Sequence, residues 1–219
     1  MNAQLPSSMS YFEEAYRDYE KQNPGRKLDH YVDQVTSLGP PHTRELLDIG
    51  CGLGSFLERV SLRKPEVSLF ATDIRSDAVT ASQARVANAT VVEASAENIP
   101  FPSSSMDVIT AWDVIEHVPD LDAVKSEILR LLRPGGAFLA VVPVYDGVTG
   151  RLVSWLDKDP THLHKYSRDQ WRQWAEADFR VISWHGLYRY LMGPIYLHWP
   201  SRTMRRISPA ILMGCLKPD

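Results

Sequence analysis

Three glycines at alternate positions, Gly50, Gly52 and Gly54, stand in the run LLDIGCGLGSF, with Asp48 two residues before the first of them. Glycine tolerates positive φ and has no Cβ, so such a loop lets backbone approach a ligand closely. A helix beginning just beyond it, here near Ser55, aims free N–H groups at the same place. The next apolar run, VSLFATD, ends on Asp73, where a carboxylate can accept hydrogen bonds from ribose hydroxyls. Together these residues point to a nucleoside ligand. A dinucleotide fingerprint needs GxGxxG, whereas the spacing here is GxGxG, with Ser55 three positions after Gly52. A carboxylate fixed at Asp48 repels a pyrophosphate and suits a ligand carrying an ammonium group.

A second set of residues could move a proton. Of the seven histidines, His117 in DVIEHV follows the apolar run MDVITAWD, at the carboxyl edge where an open α/β sheet places its ligand crevice. The near-neutral pKa of a free imidazole suits a histidine there to serve as a base toward a hydroxyl. The stretch DKDPTHLHKYS supplies His162 and His164, which face the same way if the segment is extended. Asp157, Asp159, His162 and His164 together offer nitrogen and oxygen donors for a divalent ion, but the chemistry does not demand one and no metal ligand is assigned. Cys51 reads as a small buried filler, since no basic residue adjoins it in sequence to make a thiolate.

These groups need a scaffold. From Glu45 onward, ELLDIG, VSLFATD, ATVVEA, MDVITAWD and AFLAVVP are short apolar runs separated by stretches of helical spacing. Continuous rather than alternating Val, Ile, Leu and Ala is the mark of parallel strands buried on both faces, so residues 44–142 read as a doubly wound sheet. Residues 9–38 read as helical, with Tyr11, Phe12, Ala15, Tyr16 and Tyr19 at three- and four-residue spacing, and a second helix from Arg26. Residues 143–161 read as an irregular loop or cap, Ser167–Ala177 as a helix, and Phe179–Trp184 and Ala210–Leu216 as strands. Residues 185–209 between those strands read as a second irregular insertion. Within it the aromatic density of WHGLYRYLMGPIYLHWP suggests a substrate pocket, and Arg202, Arg205 and Arg206 follow.

Composition narrows the class. With 219 residues, 44% hydrophobic and 23% charged, the chain has enough apolar content for one substantial core, and it is read as a single domain, 1–219. A net charge of -3 gives no electrostatic ground for a nucleic-acid partner. Two cysteines are too few for a disulfide scaffold, and MNAQLPSSMS lacks a signal peptide's charged and apolar regions, so a cytoplasmic protein without stable membrane insertion is expected.

The chain resembles the class I S-adenosylmethionine (SAM)-dependent methyltransferases, particularly the small-molecule branch that includes ubiquinone-biosynthesis O-methyltransferases. The resemblance is carried by DIGCGLG at 48–54, TDIR at 72–75, ASAENIPF at 94–101, MDVITAWDVIEHV at 106–118 and LRPGG at 132–136, in that order. It implies an α/β, Rossmann-like fold: a seven-stranded, mostly parallel sheet with helices on both faces, an N-terminal helical lid (9–38) and a cap inserted after the fifth strand. Residues 44–142 become the cofactor core and 143–219 the substrate cap and closing strands. By the same resemblance Asp48, Gly50, Cys51, Gly52 and Gly54 surround the methionine part of SAM, Asp73 binds the ribose and Ile74 packs on the adenine. Ala96 meets the adenine edge beside Ser95, which departs from the family's usual Asp, with Glu97 as a substitute. Trp112 and Asp113 hold the methionine amine and open the substrate pocket, and Tyr16 belongs to the lid.

The activity so implied is methyl transfer to a small-molecule hydroxyl, on an aromatic or partly apolar acceptor, with His117, His162 and His164 as candidate bases. N-methylation, a non-catalytic SAM-binding partner or sensor, and a nicotinamide-dependent oxidoreductase are the competing readings. The oligomeric state is not legible in these residues.

Overall fold

The apolar runs of the core become five parallel strands: β1 (Glu45–Ile49), β2 (Ser68–Asp73), β3 (Thr90–Glu93), β4 (Met106–Trp112) and β5 (Leu132–Pro143). The computed structural model describes residues 19–156, 161–192, 195–201, 203 and 206–219. Three further strands, β6 (Arg180–Met192), β7 (Ile195–Ser201) and β8 (Ala210–Leu216), add on antiparallel, giving the order β3-β2-β1-β4-β5-β8-β6-β7. The sheet therefore has eight strands where the sequence predicts seven. The additional strand is β7, which pairs with a β6 much longer than Phe179–Trp184, so residues 185–209 are largely a β-hairpin rather than an irregular insertion.

The N-terminal helices are α1 (Tyr19–Gln22) and α2 (Gly25–Leu38), and between the parallel strands lie α3 (Ser55–Arg63), α4 (Ser76–Arg85) and α5 (Leu121–Leu131). After β5 come α6 (Gly147–Leu156) and α7 (Arg168–Glu176). α6 occupies a stretch that the sequence suggests is irregular, because Gly147 and Gly150 read there as loop residues; Gly147 adopts φ 72° at its start. Tyr11 and Tyr16 lie outside the described residues, as do Asp157, Asp159, Arg202 and Arg205.

Side chains alternate across the sheet and fill two layers. Leu47, Ile109, Phe138 and Ala140 face a cluster closed by Val124 and Ile128 of α5 and by Trp171 of α7, whose Nε1 donates to the Pro143 carbonyl at 3.1 Å. Leu46, Val108, Leu139 and Val141 face the opposite cluster, closed by Leu28, Tyr31 and Val32 of α2 and by Phe56 and Leu57 of α3. Helix ends are set locally. Asp120 caps α5 by accepting from the amides of Asp122 and Ala123, and Ser167 and Gln170 form a capping box at α7.

The chain runs outward from β1 to β3 and then returns to place β4 on the other side of β1. That reversal opens a crevice at the carboxyl ends of β1 and β4, which is where an open α/β sheet binds its ligand. No helix among the described residues is long and apolar enough to cross a membrane.

Candidate active site

The crevice is a cleft of about 940 Å³, its open mouth included, walled by Tyr19, Lys27 and Tyr31 of the N-terminal helices, by Asp48 to Gly52 and by Trp112 to Val114 with His117. Its floor is the glycine loop. The amides of Gly50 and Cys51 donate to the Thr72 carbonyl at 2.7 and 3.0 Å, which ties the loop to the end of β2. Gly50 and Gly54 hold φ of 70° and 77°. A Cβ on Gly50 would lie 2.5 Å from a Val114 methyl, and one on Gly54 would lie 3.0 Å from Ser82 Cα. Both positions need glycine because backbone and neighbours occupy the space a side chain would fill.

Asp48 is buried at the base of the cleft and accepts a 2.6 Å hydrogen bond from Thr110 Oγ1. Burial, reinforced by the nearby Asp73 charge and opposed by the Thr110 bond, pushes its carboxyl up to about 7. Tyr19 lines the same cleft, and burial and the Asp48 charge push its phenol up to about 12. Cys51 is also buried, and its thiol is driven well above the ordinary range by burial and by Asp48, so it offers no nucleophile.

Asp73 accepts from the amides of Gly52 at 3.0 Å and Arg75 at 3.1 Å, which fixes its carboxylate at the rim of the loop, while burial raises its pKa. Ile74 next to it is 65% exposed, an apolar side chain held open to whatever occupies the rim. Ser95 and Glu97 interact with each other, and Glu97 Oε1 also accepts from the Asp120 amide at 3.0 Å, while Ala96 is buried beneath. Trp112 stacks on Tyr31 at a centroid separation of 4.2 Å and meets Phe56 edge-on. Asp113 follows with φ 60°, a left-handed conformation, its amide donating to the Val141 carbonyl.

The histidines separate into two roles. His117 lines the cleft, and its Nδ1 lies 3.2 Å from the Thr161 carbonyl and 2.9 Å from Thr161 Oγ1. With its proton on Nδ1 the ring would donate to Thr161 and leave Nε2 as the basic nitrogen. His162 stands beside it, ring centroids 4.6 Å apart, with its Nδ1 3.0 Å from the Tyr145 hydroxyl. His164 is turned elsewhere: its Nε2 lies 2.8 Å from the Val118 carbonyl, where it ties the segment to the turn after β4. The backbone between 162 and 164 does not bring both rings to one site, because the amides of Leu163 and His164 both donate to the Glu116 carbonyl and bend the segment around it. Sequence reasoning passed over Glu116, Tyr145 and Thr161. Glu116 is fully buried, and one oxygen of its carboxylate lies within 4.8 Å of one nitrogen from each of His117 and His162.

The cleft's apolar wall comes from Tyr31, Phe56 and Trp112; of the expected aromatic pocket at residues 184–200, His198 of β7 backs Tyr31 edge-on at 5.7 Å, Leu197 and Trp199 are exposed, and the side chains of residues 189–196 lie outside the described ones.

The donor set fits SAM. A buried acid lies at the base for a cationic ligand, a glycine floor lets the ligand approach, and a rim carboxylate stands beside an exposed apolar side chain for a nucleoside. Residues 19–183 match the family model described as "Methyltransferase domain". The chain is 25% identical over 135 residues to the demethylmenaquinone methyltransferase of a Geobacillus species, covering 57% of this chain and 58% of that protein. It is 29% identical over 164 residues to the uncharacterized methyltransferase YcgJ of Bacillus subtilis, covering 72% of this chain and 64% of that one. The chain thus spans less than two thirds of these relatives' length. The crystal structure of YcgJ superposes with a TM-score of 0.66 at 18% identity, over 90% of this chain and all of that one, a likeness of fold.

Proposed function

The chain belongs to the methyltransferase-domain family, and from that premise we propose that it transfers the methyl group of SAM to a hydroxyl oxygen of a small, partly aromatic acceptor. The observation that carries this reading is one cleft that holds, side by side, an acidic glycine-floored pocket and His117, whose ring stands 4.6 Å from that of His162.

When bound, SAM supplies a methyl group on a cationic sulfur: an oxygen lone pair forms the new C–O bond as the C–S bond breaks, its electrons pass to sulfur and the hydroxyl's proton is lost. The residues of the chain have three tasks. Asp48 at the base of the cleft and Asp73 at its rim orient the donor, the first toward positive charge and the second toward ribose hydroxyls. Tyr31, Phe56 and Trp112 give the acceptor an apolar wall, and with Tyr19 they exclude water from the reacting atoms, where alignment supplies much of the rate. His117 and His162 draw off the acceptor's proton, which makes its oxygen the better nucleophile. An amine acceptor would use the same cleft, and it differs in needing a base only to lose its extra proton.

The test is turnover of SAM carrying a radiolabelled methyl group against phenols, catechols, aliphatic alcohols and amines. Label in a phenolic ether supports the reading. Label only in amines transfers it to nitrogen, and SAM binding without turnover on any of them makes the chain a sensor or partner subunit.

A further inference from the structure

Tyr19 and Gln22 of α1, and Asn23 after it, line the cleft together with Asp48 and the glycine loop. A single turn of helix has no stability of its own, because nucleation fixes several dihedrals for one hydrogen bond, so side chains must set its place. On one flank Lys27 of α2 donates to the Gln22 carbonyl and to Asn23 Oδ1, both at 3.2 Å, and Asn23 Nδ2 donates to the Tyr19 carbonyl at 2.9 Å. On the other flank stands Arg85, the last residue of α4. Its Nη2 donates to Glu20 Oε1 at 2.5 Å, its Nη1 donates to Ser55 Oγ at 2.7 Å, and Nη1 lies 3.4 Å from Glu58 Oε2. Ser55 begins α3 directly after the glycine loop, and the Tyr19 hydroxyl is hydrogen-bonded to it. One guanidinium thus joins α1, α3 and α4 at the edge of the cleft.

We propose that Arg85 is a positioning residue for donor exchange: through Glu20 it straps α1 to the start of α3, and SAM enters and S-adenosylhomocysteine leaves when that strap opens. The two halves of the strap are unequal. The Arg85 side chain is 27% exposed and anchored by Ser55, whereas that of Glu20 is 64% exposed and leaves no buried charge behind when it lets go. An ion pair so close to water holds weakly and is screened by salt, which suits a contact that must break and re-form in each cycle. Lys27 on the far flank is buried and keeps the turn before α2 in place, so α1 swings from its Arg85 side. Tyr19 moves with it, and the pocket floored by the glycine loop is uncovered. Such openings commonly limit product release. The role in exchange rests on the donor-pocket reading; the strap itself does not.

The chain carries the reporters for a test that separates the two. Cys51 is buried in the wall of the cleft, and Cys215 is buried in the core on β8. Iodoacetamide therefore reaches Cys51 when α1 opens and Cys215 only on wider unfolding, and peptide mass spectrometry reads each labelling rate. Glu20→Ala and Arg85→Met should each speed Cys51 labelling about 3- to 10-fold, the range of an exposed ion pair or a hydrogen bond to a charged group, with Cys215 unchanged. Adding Glu20→Ala to Arg85→Met should bring no further increase, and about 0.5 M NaCl should speed labelling of wild type but not of Glu20→Ala. By stopped-flow fluorescence, S-adenosylhomocysteine should leave both single variants about 3- to 10-fold faster than wild type. Glu176→Gln, which breaks an exposed ion pair on α7, should change none of these rates. Wild-type labelling of Cys51 in Glu20→Ala, or a parallel rise at Cys51 and Cys215, overturns the strap. Binding of S-adenosylhomocysteine with an unchanged off rate in both variants overturns its role in exchange. Faster Cys51 labelling in the variants, with no S-adenosylhomocysteine binding by wild type, upholds the strap and removes the methyl-donor reading instead.

Discussion

Asp48 is the residue on which donor binding turns, and its burial makes that binding pH-dependent. With its carboxyl pushed up to about 7, the site holds a neutral acid below that pH and a carboxylate above it. A cationic ligand is held by the carboxylate, so affinity for SAM is expected to rise between about pH 6 and 8 with release of a proton. Asp48→Asn should flatten the rise and weaken binding roughly 10- to 100-fold at pH 8, the value of a hydrogen bond to a charged group. The ligand-free protein should behave in the opposite sense. A raised carboxyl pKa favours the folded state below the unfolded value and loses that contribution as pH climbs through about 7, so Asp48→Asn should melt higher than wild type at pH 8. Calorimetry and thermal melts at three pH values check both. His117→Ala should lower turnover by about 100-fold or more, the usual share of a group that moves the proton, and leave S-adenosylhomocysteine binding within a few-fold of wild type. At this scale the glycine loop, Asp48, Asp73 and His117 were legible because their neighbours in sequence are also their neighbours in space. Glu116 was not: it needs His162, and only the fold shows that the segment carrying His162 bends back around the Glu116 carbonyl.

Elements position these residues through a few inflexible places. The start of α3 depends on Gly54 at φ 77°, close against Ser82 of α4. Gly54→Ala should therefore cost about 2 kcal/mol or more, from left-handed strain together with the collision, measurable as a lowered denaturation midpoint. The five parallel strands could be read from sequence because burial on both faces writes itself as unbroken apolar runs. The β6–β7 hairpin and α6 could not. In the first, aromatic residues suited equally to a pocket wall and to a strand gave no period that separates the two. In the second, two glycines in the first turn of a helix signalled a loop. The hairpin still contributes to the site at one remove, since His198 supports Tyr31, which stacks on Trp112 in the cleft wall.

As a whole the molecule is a sheet whose chain reversal between β1 and β4 makes a crevice, with N-terminal helices laid across one side and the α6 to α7 segment fastened on the other. Ligand binding should be felt globally, because the cleft joins the glycine loop, α1, α2 and the end of β4. S-adenosylhomocysteine at 100 times its Kd should stabilise the fold by about 2.7 kcal/mol and raise Tm by roughly 5–10 °C. The methyl-donor cleft is the central claim, and the shared glycine loop makes NAD its sharpest competitor. Isothermal titration of the wild-type protein with S-adenosylhomocysteine and, separately, with NAD tests it most directly. The account predicts one saturable site for S-adenosylhomocysteine and none for NAD; saturable NAD binding without S-adenosylhomocysteine binding would contradict it.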